Sequence, residues 1–122
     1  MNKMNPLLPE VLGVRHDETT PRVVLELQVN RTLAHFAGHF PDFPLLPGVV
    51  QIDWAVRFAR AHLAVAGEFR RLENLKFSAP LLPDTRLELA LAWDTEKGRL
   101  EFSFDESKRR YSSGRIVFGG GS

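Results

Sequence analysis

The sequence predicts an α+β domain in which an antiparallel sheet covers one long helix. Three observations lead to this fold class. Several segments alternate apolar and polar residues with the period of two that is typical of half-buried strands. One segment, residues 48–66, is apolar on nearly every side, which indicates a helix that other elements bury. Short turns separate the later strands, and strands joined in this way pair antiparallel.

The predicted sheet has about five or six strands. The first strand covers residues 22–29, and its apolar residues at alternate positions share one face: Val23, Leu25, Leu27 and Val29. The other strands follow the helix, and they include residues 69–77, 87–91, 100–104 and 111–118. Turns are predicted at residues 83–84 and 96–98, where proline, aspartate and glycine favour tight reversals of the chain.

The predicted helix begins beside Pro47, because proline is tolerated at or near the first turn of a helix. Gly67 supplies its stop. Its one polar stripe has the spacing i, i+4, i+7 and consists of Asp53, Arg57 and Arg60. Residues 33–47, before the helix, hold Gly38 and three prolines, which forbid a helix or a central strand and therefore predict a loop.

The composition limits the classes of function. A chain of 122 residues has the length of one domain, for which we expect residues 1–118, followed by a flexible tail at 119–122. A net charge of +1 does not suggest a nucleic-acid-binding protein. The absence of cysteine excludes disulfides, thiol nucleophiles and thiolate metal sites. Charges within residues 45–66 oppose a membrane span, so we expect a soluble, cytoplasmic protein that binds neither membranes nor nucleic acids.

Residues 38–53 carry the groups that point to chemistry. His39 lies in the proline-rich loop, and a histidine can take up and release protons near neutral pH. Asp53 lies in the opening turns of the predicted helix, where burial would help a carboxyl group to stay protonated and act as an acid. Backbone N–H groups around Gly48 could hold a developing oxyanion. Such a base, acid and oxyanion donor can remove a proton next to a thioester carbonyl and expel a β-hydroxyl.

This stretch resembles the active-site signature of the FabA/FabZ family, the 3-hydroxyacyl-acyl-carrier-protein dehydratases. The signature runs Gly-His-Phe-Pro, then Pro-Gly, then an acid, and the separation of His39 from Asp53, 53 − 39 = 14, is that of the family. The matching residues are Gly38, His39, Phe40, Pro41, Pro44, Pro47, Gly48 and Asp53. Residues 75–84 and 113–118 resemble later strands of the family, so the resemblance covers most of the chain.

The resemblance implies a hot-dog fold, in which an antiparallel sheet wraps one long central helix, and a homodimer or a higher oligomer of dimers. It implies that His39 of one chain faces Asp53 of the other: neutral His39 removes the α-proton, Asp53 protonates or orients the departing hydroxyl, and the Gly48 N–H binds the thioester oxygen. The further substrate-binding candidates are Phe40, Pro47 and Trp54. The acyl chain is expected in an apolar tunnel, with the thioester carried on phosphopantetheine by an acyl carrier protein. No metal or redox cofactor is expected.

The sequence also departs from the usual family pattern. Residue 53 is Asp, as in the FabA branch, where the FabZ branch has Glu, and Trp54 and Arg57 replace smaller or uncharged residues. Residues 50–55 resemble the ApeI-like dehydratases of aryl polyene biosynthesis. A bulky Trp54 leads to the hypothesis that the tunnel accepts an aromatic or conjugated chain.

Other interpretations of the same residues stay open. A lone loop histidine is more often structural than catalytic, and Asp53 could be favoured by the helix N-terminus or pair with Arg57, both of which oppose a proton-donor role. His35 and His39 have the spacing of a helical zinc pair, but Gly38 and Pro41 break any helix there. A set of basic residues is either solvated or a patch for an acidic carrier protein: Arg70, Arg71, Lys76, Lys108, Arg109 and Arg110.

Two alternative functions share the expected fold. A hot-dog acyl thioesterase would hydrolyse the thioester, and it does not usually carry Gly-His-Phe-Pro with Pro-Gly. A catalytically silent hot-dog subunit would support an active partner, and it would be expected to have lost His39 or Asp53. Both residues are present in this chain.

Overall fold

The computed structural model describes residues 7–17, 19–31, 33 and 46–119. These residues form one helix and six strands: β1 (Glu10–Asp17), β2 (Arg22–Val29), α1 (Gly48–His62), β3 (Glu68–Phe77), β4 (Thr85–Asp94), β5 (Arg99–Glu106) and β6 (Arg109–Gly119). The strands make one sheet in the order β1-β2-β4-β5-β6-β3, and every neighbouring pair is antiparallel. The predicted combination of one helix with an antiparallel sheet is confirmed.

The core lies between α1 and one face of the sheet. Leu25 on β2 is opposite Leu89 on β4, which in turn is opposite Phe104 on β5. Because opposite residues on neighbouring strands point to the same face, these alternating positions build one continuous apolar surface. The helix covers this surface with Trp54, Ala55, Phe58 and Ala59, all buried. The sheet therefore holds one face of α1 and leaves the opposite face exposed.

The helix is shorter than predicted, because it ends at His62 instead of residue 66. The N–H of Leu63 donates to the carbonyl of Ala59 at 2.7 Å, and Leu63 itself is extended. The chain then turns towards β3 at the far edge of the sheet. Gly67 has φ +94°, and a Cβ there would lie 3.0 Å from the Gly119 carbonyl oxygen, so this glycine permits a close approach of two strands. With 15 residues, α1 is too short to span a bilayer, and no other helix occurs in the described ranges.

The sequence analysis did not predict β1. This strand has no alternating burial, and its apolar residues Val11, Leu12 and Val14 are each about two-fifths exposed. It belongs to the sheet because its backbone pairs with β2, and such pairing leaves no alternating pattern in the sequence. At the other end of the chain, Gly119 was assigned to the tail but pairs with Glu68 in the sheet. The rest of the predicted tail, residues 120–122, lies outside the described residues.

The strand β3 forms the second edge of the sheet, next to β6. An edge strand presents a row of unpaired backbone groups, which can pair with another chain. Three of its large apolar side chains are exposed: Phe69, Leu75 and Phe77. A long edge strand with exposed aromatic residues is the kind of surface that a second protein chain covers.

His16 on β1 and His62 at the end of α1 face each other, with 5.8 Å between their ring centroids. Burial lowers the pKa of His62 below its usual 6.5, and the charge of His16 lowers it further. The folded protein therefore binds fewer protons at this position than the unfolded chain when the pH falls below 6.5. This histidine destabilises the fold in acid and has no such effect above neutrality.

We expect the H62N variant to lose less stability than the wild type between pH 8 and pH 5. The depressed pKa of His62 makes the unfolded chain the better proton acceptor in this window, so acid favours unfolding, and asparagine has no proton to accept. Urea unfolding midpoints at several pH values measure the difference. H16N serves as the control, since it removes only the smaller contribution from charge repulsion. Parallel pH profiles for wild type and H62N would contradict the expectation.

Candidate active site at the start of the helix

The proline-rich loop that carries the predicted base lies outside the described residues. His39 and Phe40 belong to it, as does His35 of the alternative metal pair. Their predicted roles stay predictions. Among the site residues that the structure does describe, Pro47, Gly48, Asp53 and Trp54 all lie on the first two turns of α1 or directly before it.

The start of α1 has no side-chain cap. Pro47 is the N-cap residue with an extended backbone, and its carbonyl accepts from the N–H groups of Val50 at 3.1 Å and Gln51 at 3.3 Å. Within the described ranges, the N–H groups of Gly48 and Val49 have no such partner. The first N–H groups of a helix lack intrahelical acceptors and carry the positive end of the helix dipole. The arrangement is therefore suited to stabilising a negatively charged oxygen.

The aromatic ring of Phe77 packs against Gly48, the first residue of α1. A Cβ on Gly48 would lie 2.5 Å from Cζ of Phe77, so the ring occupies the space that any larger residue would need. Beside the two residues is a hollow of about 330 Å³, lined also by Leu46, Gln51 and residues 78–80. Most of its exposed lining is apolar. The N–H group of Gly48 has no backbone acceptor among the described residues, and it lies beside an apolar hollow. A site for an acyl thioester needs both a polar group that binds the carbonyl oxygen and an apolar surface for the acyl chain.

One lining residue of this hollow, Gln51, is hydrogen-bonded to a second buried polar residue, Ser112, which does not line the hollow. Nε2 of Gln51 donates to the carbonyl of Leu46 at 3.2 Å, and the hydroxyl of Ser112 on β6 donates to Oε1 of Gln51 at 2.7 Å. Gln51 is 3% exposed and Ser112 is 0% exposed. This pair, which we call the Gln51–Ser112 bridge, links the chain entering α1 to β6, the strand next to the edge strand β3.

Asp53 is on the exposed face of α1. Its carboxylate accepts a hydrogen bond from Nε of Arg57 at 2.8 Å, and the two side chains are 53% and 58% exposed. The i,i+4 ion pair considered in the sequence analysis is therefore present. Burial would help a carboxyl group to stay protonated and donate a proton, but Asp53 is not buried within the single chain. An exposed pair of this kind contributes little to stability.

Trp54 faces the other way, into the core. It is 0% exposed, and its Nε1 donates to the carbonyl of Leu7 at 2.9 Å. The indole thus connects α1 to the segment that precedes β1. It does not line the hollow beside Gly48. Its predicted role in an acyl tunnel stays a prediction.

Three residues near the helix start were not predicted as part of the site: Gln51, Phe77 and Ser112. Gln51 could have been suspected, because it is a polar residue at the head of the buried stripe that continues with Ala55 and Phe58. Phe77 and Ser112 gave no local signal. They are opposite each other on β3 and β6, and only the sheet pairing brings them to the helix.

Another hollow lies on the surface, away from this site. It is larger, about 430 Å³, lies on the outer face of the sheet, among residues such as Ala90, Ser103 and Ser113, and holds none of the predicted site residues. Within the described ranges, no three histidine or acidic side chains come together as metal ligands would.

The chain is similar to known dehydratases. The ApeI-like family, described as ApeI dehydratase, matches residues 14–115. The chain is 33% identical over 113 residues to the 3-hydroxyacyl-acyl-carrier-protein dehydratase FabZ of Polynucleobacter asymbioticus, a match that covers 81% of this chain and 74% of that enzyme. It is 34% identical over 73 residues to FabZ of Agrobacterium fabrum, covering 54% of this chain. In that match the chain spans about half the length of the relative, 47%.

A solved structure is similar along nearly its whole length. It is one chain of the dehydratase heterocomplex ApeI:P from Xenorhabdus doucetiae, to which this protein is 37% identical with a TM-score of 0.81. The match covers 89% of this chain and 96% of that one. The likeness therefore includes the sheet, the helix and the order in which they follow each other.

Proposed function

The chain belongs to the ApeI-like dehydratase family, and on that basis we propose that it removes water from a 3-hydroxyacyl thioester to give the trans-2-enoyl thioester. The observation that carries the proposal is the uncapped start of α1, where Gly48 presents an N–H beside an apolar hollow. The thioester oxygen gains negative charge as the α-proton leaves. Backbone N–H groups at a helix start are suited to stabilise that charge, and a donor of this kind contributes about 10²–10³ to the rate in other enzymes.

The proposed reaction has one base and one acid. Neutral His39 takes the α-proton, and the electrons of that C–H bond form the new double bond as the C–O bond at the β-carbon breaks. Asp53 supplies the proton that lets the hydroxyl leave as water. The proton on His39 then returns to Asp53 through solvent, so each cycle is balanced without a metal or a redox cofactor. The thioester is carried on phosphopantetheine, which supplies no atom to the bond changes.

We propose that a second copy of the chain completes each site. The exposed stripe of α1 holds Val49, which is 72% exposed, and Asp53 one turn later. Phe77 connects this stripe to the exposed edge strand β3, since its ring packs against Gly48. A homodimer through β3 and this stripe would bury the apolar side chains and remove Asp53 from water. Burial would then favour the protonated carboxyl group that the mechanism needs.

The substrate is proposed to arrive on an acyl carrier protein. Four of the six basic residues of the candidate patch lie on β3, on β6 or directly before β6, at the end of this strand pair where Phe77 contacts Gly48: Lys76, Lys108, Arg109 and Arg110. The side chains of Lys76 and Arg110 line the hollow on the outer face of the sheet. Arg70 lies at the other end of β3, near Gly119. In the described part of the chain, no ion pair includes Lys108 or Arg109, so their charges are available to attract an acidic partner.

We expect R109E to raise KM for a carrier-bound substrate by about threefold to tenfold at low salt, since losing a rim charge weakens encounter with an acidic carrier. The same variant should leave the KM of a short pantetheine thioester unchanged. R70E is the matched control, because it makes the same change of charge at the far end of β3. Steady-state kinetics at two salt concentrations measure the effect. An equal change of KM in R109E and R70E would contradict the proposal that the carrier protein docks at the end of β3 and β6 that holds Arg109.

We propose that the dehydration belongs to fatty-acid or aryl-polyene-type biosynthesis. This assignment rests on the family and on the residues around Asp53, with Trp54 as the candidate for acceptance of an aryl-terminated or conjugated chain. Relative kcat/KM values for aryl-terminated and short saturated 3-hydroxyacyl thioesters test it. Turnover of short saturated chains alone would contradict an aryl preference.

One assay separates the proposed function from its alternatives. Purified protein is incubated with 3-hydroxyacyl and enoyl thioesters, and both absorbance of the conjugated enoyl product and free thiol are followed. The enoyl signal without thiol is the expected result. Release of thiol would indicate a thioesterase, and neither signal would indicate a silent subunit. The family match does not favour either alternative.

A further inference from the structure

We infer that Gln51 is a positioning residue for the proposed dehydration, because the Gln51–Ser112 bridge fixes the peptide that leads into Gly48. The inference rests on the proposed function of the Gly48 N–H as oxyanion donor. Nothing in the FabA/FabZ-like signature of the sequence assigns a role to residue 51. The first observation is burial: Gln51 and Ser112 are the two polar residues that lie in the core of the described chain.

The hydrogen bonds determine which way the Gln51 amide points. The carbonyl of Leu46 can only accept, so the side-chain nitrogen of Gln51 must be the atom that faces it at 3.2 Å. The amide oxygen then faces Ser112, whose hydroxyl donates at 2.7 Å. Both ends of the amide are thus used. A buried amide that lost either partner would cost about 1–3 kcal/mol, so this orientation is strongly preferred.

The bridge acts on the helix start through Leu46. The N–H of Leu46 donates to the carbonyl of Leu81 at 2.8 Å, while its carbonyl accepts from Gln51. The Leu46 residue is therefore held from both sides, only two positions before Gly48. Pro47, between them, has a ring-restricted φ of −60°. Little freedom is left for the direction of the Gly48 N–H.

Packing alone would not select a glutamine here. Gln51 heads the buried stripe of α1, where a leucine would fill a similar volume without an amide to satisfy. A hydrogen-bonded amide instead specifies one geometry for the incoming chain. An oxyanion donor acts in the transition state, so a small error in its direction lowers kcat more than it changes KM.

The test uses Q51L and Q51E, with V23A as a control. Val23 is buried on β2, which β4 and β5 separate from Ser112 on β6, so V23A reports the effect of lost core packing. We expect kcat of Q51L to fall about 10- to 100-fold with KM within about threefold, while V23A keeps its kcat. A folded Q51L variant with the kcat of the wild type would overturn the inference.

The Q51E variant adds a readout that a purely structural role would not move. Its ionised carboxylate cannot donate to the Leu46 carbonyl, whereas the protonated acid can, with its other oxygen still accepting from Ser112. We therefore expect the ratio of Q51E kcat to wild-type kcat, taken at each pH, to rise as the pH falls. A ratio that does not change with pH, at values where both proteins are folded, would overturn the inference.

A measurement independent of catalysis separates this inference from the proposed function. The ¹H–¹⁵N resonance of the Gly48 amide and its hydrogen-exchange rate report the direction and exposure of this N–H. We expect both to change in Q51L and to stay the same in V23A. If the wild type has no dehydratase activity, the proposed function fails, and the Gly48 resonance still decides the role of the bridge. An unchanged Gly48 amide in Q51L would overturn that role.

Discussion

Mixing two inactive variants, H39A and D53N, is expected to restore about a quarter of the wild-type dehydratase activity. In a homodimer whose sites combine His39 of one chain with Asp53 of the other, half of the dimers formed at random are mixed. Each mixed dimer has one site with both residues intact and one site with neither. Each variant alone should lose at least about 10²-fold in kcat, because it lacks the base or the acid. Activity after co-refolding at equal concentrations measures the complementation.

The structure supplies the control for this experiment. Within the single chain Asp53 is half exposed and contacts Arg57, so D53N should leave the fold of each chain intact. Equal thermal unfolding of D53N and wild type would show that lost activity has a chemical origin. Absence of complementation, with both variants folded and dimeric, would contradict a site shared between subunits. A monomeric wild-type chain with full activity would contradict it as well.

Replacing Trp54 with alanine is expected to have the largest effect on stability. Trp54 is fully buried between α1 and the sheet, and removing a large aromatic side chain from a core costs about 3–5 kcal/mol. A domain of this size has a total stability on the order of 5–15 kcal/mol, so W54A should unfold at a temperature lower by on the order of 10 °C or more. Calorimetry or circular dichroism on heating measures the change.

The W54F variant separates the contributions of Trp54. Phenylalanine keeps most of the ring volume but loses the hydrogen bond from Nε1 to the Leu7 carbonyl, for which we expect a cost of about 1 kcal/mol. If Trp54 also forms a wall of the acyl tunnel, W54F should change the ratio of kcat/KM between long and short acyl chains. A small loss of stability in W54A, comparable with that of W54F, would contradict the central packing role.

Several features of this protein followed from the sequence by itself. The period of two in β2, β4 and β5, and the beginning of α1 directly after Pro47, are local properties of the chain. Residues that lie close in sequence set them, through side-chain alternation and through the restrictions of proline. The spacing of His39 and Asp53 around Pro47 and Gly48 likewise indicated the FabA/FabZ family, and residues 50–55 indicated the ApeI-like subgroup. The family match confirms both.

Only the tertiary structure decided which parts of the chain meet. Ser112 is 61 positions from Gln51, and the ring of Phe77 reaches Gly48 only because β3 pairs with β6 at the edge of the sheet. The edge position of β1 depends in the same way on which strands are neighbours. Such contacts join residues far apart in sequence, so no local period or motif encodes them.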